Sequence, residues 1–128
     1  LPGLKIRRSP DIEGDLGVTV FLDHGTRERR DRFLRALRAE GISASPPGGS
    51  VILPIDKRIE NKLTVHPAWP SFNSPEGKAI RYGADSCPRT IDIIGREGGV
   101  IMDPNFSDGD LKDIILAIRK VYLAIYKA

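Results

Sequence analysis

The chain has 128 residues, 40% of them hydrophobic and 29% charged, and a net charge of +3. That length allows one ordinary domain around a single core, and that composition excludes wholesale disorder. No apolar run is long enough to cross a bilayer, and a single cysteine excludes an internal disulfide and fits a reducing, cytoplasmic compartment.

Leu1-Pro2-Gly3-Leu4 has neither helical nor strand period, and the only methionine is Met102. The opening therefore reads as a segment cut from something upstream, with residues 1–14 as a linker and 15–128 as the domain. The run from Asp15 to Asp23 holds Gly-Val-Thr-Val-Phe-Leu, a β-branched and aromatic stretch of strand length. Thr26 is placed to cap an arginine-rich helix that runs to about Glu40 and leaves through Gly41. Phe33, Leu34 and Leu37 form its buried stripe, while Glu28 and Asp31 precede Arg32 and Arg35 by four residues, the favoured order for helical ion pairs. Ile42 to Ser45 alternates like a short strand, and residues 46–50 form a turn. Val51 to Pro54 is a brief apolar element of open type.

From Asp56 to Ser86 the sequence shows no sustained period and carries Pro67, Pro70, Pro75, Gly77 and Gly83. A loop of this length is usually functional or disordered. Pro88 then suits the first position of a short helix with Ile91, Ile93 and Ile94, and Gly95 its left-handed exit. Val100 to Asp103 reads as a strand, with irregular pairing expected near Gly98-Gly99, where apolar residues are usual. Ser107 caps a final helix from Asp108 to about Lys127, with Asp110 at the capping-box position. Its stripe is Leu111, Ile114, Ile115, Ile118, Val121, Tyr122 and Ile125. The element order predicts a two-layer α+β domain, a small, mostly antiparallel sheet with helices on one face.

Self-contained chemistry is sparse. Cys87 at a helix start raises a catalytic cysteine–histidine pair, but nothing in the sequence brings His66 to it, so a small buried cysteine is the favoured reading. His24 and His66 are far apart, and no spacing matches a metal site. Gly48-Gly49 and Gly98-Gly99 lack the lysine and the context of a phosphate-binding loop. The arginines of residues 26–40 raise nucleic acid as a partner. Their interleaved acids and the lack of an aromatic platform favour a solvated helix face instead.

The order of several short motifs carries more. Arg7-Arg8-Ser9-Pro10-Asp11 with Gly14-Asp15, Arg38-Ala39-Glu40-Gly41-Ile42, His66-Pro67-Ala68-Trp69, the Cys87-Pro88-Arg89-Thr90 helix and the Ser107-Asp108-Gly109-Asp110 cap follow one another along nearly the whole chain. In that order they resemble the C-terminal small domain of the DegT/DnrJ/StrS-type aminotransferases. The resemblance implies a parent enzyme that uses pyridoxal phosphate to move an amino group, from glutamate, to a nucleotide-linked keto-sugar. It implies a large domain upstream that bears the cofactor lysine, joined through residues 1–14, and a dimeric parent. It further implies that this chain alone binds no cofactor, supplies no catalytic residue and is inactive. The small domain of such enzymes closes over substrate; by position His66 and Trp69 carry that role, with Arg81 and Tyr82 beside them. The alternative from another class is a small non-enzymatic binding module, with nucleic acid bound through the helix at 26–40.

Overall fold

The computed structural model describes residues 1–11, 13–14, 18–48, 52–66 and 68–127. Asp15 and Gly17 of the expected strand, Gly49 of the expected turn, Val51 and Pro67 therefore lie outside the described residues. The chain forms two compact units, residues 1–47 with 93–128, and the inserted residues 48–92.

The first unit is a small α+β fold. Strands β1 (Lys5–Ile6), β2 (Thr19–Asp23), β3 (Ala44–Ser45) and β4 (Glu97–Ile101) form one sheet in the order β1-β2-β4-β3, every neighbouring pair antiparallel. Within the segment read as linker, Lys5 and Ile6 thus pair with Asp23 and Leu22 as an edge strand. Helices α1 (Arg27–Ala39) and α6 (Asp108–Tyr126) supply the other layer. Alternation along a strand sends every second side chain to one face. Val20 and Leu22 on β2 and Val100 on β4 pack with Phe33, Leu34, Leu37, Ile114, Ala117, Val121 and Tyr122 from the helices.

Local chemistry fixes these elements. Thr26 accepts the Arg29 N–H at 3.2 Å to start α1, and the chain leaves at Gly41 with φ +83°. Ser107 and Asp110 make the expected capping box, with reciprocal side-chain to backbone bonds.

Three expectations are corrected. Gly95 is not a helix exit: α5 (Pro88–Arg96) includes it and passes straight into β4. Pairing at Gly98-Gly99 is regular, with Leu22 opposite Gly98 and Phe21 opposite Gly99. The reason is close approach: a Cβ on Gly98 would stand 2.9 Å from Leu34 Cδ2 and 3.0 Å from His24 Nε2, so the core fills the space a side chain would take. On α1, Asp31 pairs with its neighbour Arg30 at 2.7 Å rather than with Arg35. Arg30 is buried, so the carboxylate that faces it is the one that compensates its charge.

The second unit is not an unstructured loop. A 3-10 turn at Leu53–Ile55 resolves the apolar element left open at 51–54, and α2 (Lys57–Glu60), α3 (Pro70–Asn73) and α4 (Pro75–Ala79) follow, with a further 3-10 turn at Ala84–Ser86. Pro70 and Pro75 stand at helix starts, where proline loses no intrahelical bond. Among the described residues no helix is long and apolar enough to cross a membrane.

Candidate functional site

All four residues singled out for substrate contact belong to the second unit. His66 and Trp69 share one tight turn, closed by the Trp69 N–H donating to His66 O at 3.0 Å and by Thr64 Oγ1 donating to the same carbonyl at 2.9 Å. The Ala68 N–H donates to His66 Nδ1 at 3.1 Å, so the neutral ring carries its proton on Nε2. His66 is exposed. Trp69 is 57% exposed, and its Nε1 donates to Ser71 Oγ at 3.0 Å, which holds the indole by its edge and leaves ring surface to solvent. An exposed indole face suits the flat apolar side of a ligand.

Arg81 and Tyr82 are positioned differently. Tyr82 is half-buried and meets Phe72 of α3 edge-on, with ring centroids 6.0 Å apart. That contact anchors the phenol within its unit. Arg81 is exposed, and its carbonyl accepts from Ser86 Oγ at 3.4 Å. Lys62, at φ +53°, donates from Nζ to the carbonyls of Gly77 and Lys78 at 2.9 and 2.8 Å, tying the end of α2 to α4. Cys87 is a free, half-buried thiol.

The lysines do not fit an aldimine with pyridoxal phosphate, which needs a desolvated, neutral amine. Lys62 is held by two carbonyls, Lys57 and Lys120 pair with Glu60 and Glu40, and Lys5, Lys78, Lys112 and Lys127 are exposed. Among the described residues no three His, Cys, Asp or Glu side chains gather as a metal set.

Three arginines of the helix are engaged by the protein's own groups, and of these Arg30 is buried. Arg30 donates to Ile94 O at 3.2 Å and to Asp31, Arg38 Nε donates to Leu34 O, and Arg29 donates to His24 O while its guanidinium lies over the Tyr126 ring at 5.1 Å.

Sequence reasoning missed the buried polar cluster where β2 meets α1. His24 is fully buried and shares a 2.8 Å hydrogen bond between Nδ1 and Tyr126 Oη; its ring packs 4.7 Å from Phe33. Among the described residues Nε2 has no hydrogen-bond partner. Burial is the main cause that lowers the His24 pKa to about 4 and raises that of Tyr126 to about 12. On the opposite face of the sheet, Glu97 is buried opposite Asp23, with Arg7 NH1 at 3.5 Å and Arg96 Nε 3.4 Å from Asp23; desolvation raises the Glu97 pKa. The signal was present: β2 alternates, and continuing it by one step puts His24 on the face of Leu22. No protein-family model matches the sequence, and no curated protein matches it either.

Proposed function

We propose that this chain is the C-terminal small domain of a pyridoxal-phosphate-dependent aminotransferase of the DegT/DnrJ/StrS type, acting in the cytoplasm on a nucleotide-linked keto-sugar. In this reading the segment around His66 to Trp69 forms one wall of the substrate cleft, and the cofactor lysine belongs to a large domain of the parent chain. The observation that carries it is that His66 and Trp69 are both exposed and are joined by the bond from the Trp69 N–H to His66 O; an imidazole and an indole face are side chains that suit a sugar ring. The small antiparallel sheet backed by α1 and α6 supports the same reading, being the architecture the resemblance implies. No catalytic step is assigned to this chain: its part is to bind and orient the acceptor and to exclude water.

The parent enzyme tests it. With the reading frame extended upstream, His66→Ala is expected to lower turnover of the sugar acceptor while cofactor loading, read from aldimine absorbance, stays unchanged. Equal loss of both, or of neither, removes His66 from the substrate residues. The chain by itself is expected to give no borohydride-trappable adduct with pyridoxal phosphate. A stoichiometric adduct at one lysine overturns the small-domain reading outright.

A further inference from the structure

Helix α6 carries more apolar surface than its own core covers. A single core takes up roughly a 100° stripe of a helix, and residues two apart lie about 200° round, close to opposite faces. Ile114 and Val121 are buried, yet Leu116 and Leu123, two residues beyond each, are 61% and 46% exposed. Ile115, at 62% exposed, lies between these two faces. Where this surface runs from Ile115 to Leu123 it is concave. Leu1 and Pro2 form its far wall, held in place by Tyr122 Oη donating to Pro2 O at 2.8 Å, and the groove between encloses about 380 Å³. Ile115, Ile118 and Leu123 line it, together with Arg119 and Lys127; none of its lining residues is acidic.

We propose that this groove is a docking surface for an amphipathic helix whose apolar stripe is flanked by carboxylates. The apolar floor supplies the burial, and Arg119 and Lys127 select the charge. A second copy laid antiparallel along α6 with Ile115 against Leu123 sets Arg119 against Arg119, like charges at the centre of the crossing. A flat bilayer surface does not enter a concave groove. This inference does not rest on the enzymatic reading and stands or falls apart from it.

The probe is a fluorescein-labelled synthetic helix with leucines at three- and four-residue spacing and glutamates on both flanks, titrated against the full chain by fluorescence anisotropy. Saturable binding is expected, weakened about ten-fold by Ile115→Ser or Leu123→Ser. Arg119→Glu is expected to weaken it about five-fold and to improve binding of the matching lysine-flanked helix by a similar factor. These side chains are exposed, so the variants keep the parent unfolding midpoint, which a thermal scan checks. The proposal is overturned by no binding, or by equal binding of the acidic and basic helices. It is equally overturned by dimerisation through Ile115 in light scattering, or by binding to phosphatidylglycerol vesicles in place of the helix.

Discussion

A histidine sealed in a core is a stability device with a pH dependence of known sign. In the folded chain desolvation, with Arg30 and Arg29 adding to it and Asp23 opposing, holds His24 neutral down to about 4, whereas its ordinary value is 6.5. Between those values the unfolded chain binds a proton that the folded chain excludes. The contribution of the neutral ring is therefore complete above pH 6.5 and is lost as pH falls toward 4. It amounts to about 3 kcal/mol at most. Urea midpoints are expected to fall between pH 7 and 4.5, and His24→Phe is expected to flatten that fall; an unchanged slope in the variant refutes the assignment. The neighbouring Gly98 answers to sterics instead. A methyl group there meets Leu34 and His24 at about van der Waals overlap, so Gly98→Ala is expected to cost roughly 1–3 kcal/mol of unfolding free energy in denaturant titration.

At the scale of elements, α1 and α6 differ in how closely sequence pattern and burial agree. The α1 stripe of Phe33, Leu34 and Leu37 is buried throughout, so Leu37→Ala is expected to cost about 2–5 kcal/mol. On α6 the expected stripe divides: Ile114, Val121 and Tyr122 enter the core, but Leu111 and Ile115 are exposed and Ile118 is half-buried at the groove. Ile118→Ala is accordingly expected to cost only about 1–2 kcal/mol, and a loss as large as that of Leu37→Ala shows the groove to be closed. Caps, both long helices and β2 were legible because each rests on local rules with a definite spacing. The strand at Gly98-Gly99 was not, since patterning counts side chains and this strand is defined by their absence. Nor were α2, α3 and α4, because helices of four or five residues are shorter than the window over which periodicity can be counted.

For the molecule as a whole, the two units differ in what holds them. Among the described residues of 48–92 only Ile52 and Gly77 are buried, whereas the first unit encloses a continuous core. Local opening follows the density of buried apolar contacts. Native-state hydrogen exchange is expected to be orders of magnitude faster for amides of α2 to α4 than for Phe33, Val100 or Val121; comparable protection contradicts the division. His66 and Trp69 became candidates through their position in the family resemblance, but the bond from Ala68 that orients the imidazole is a matter of backbone geometry that no residue type announces. The strand pairing has a consequence for how such a chain can vary. Ser45 stands directly opposite Gly99, so everything between them is, to the sheet, one hairpin connection. Closing a loop costs only about 0.6 kcal/mol more for each doubling of its length. Insertions, deletions or wholesale replacement within 48–92 are then nearly invisible to the folding of the scaffold, and ligand preference is free to diverge among descendants of this chain while the framework stays put.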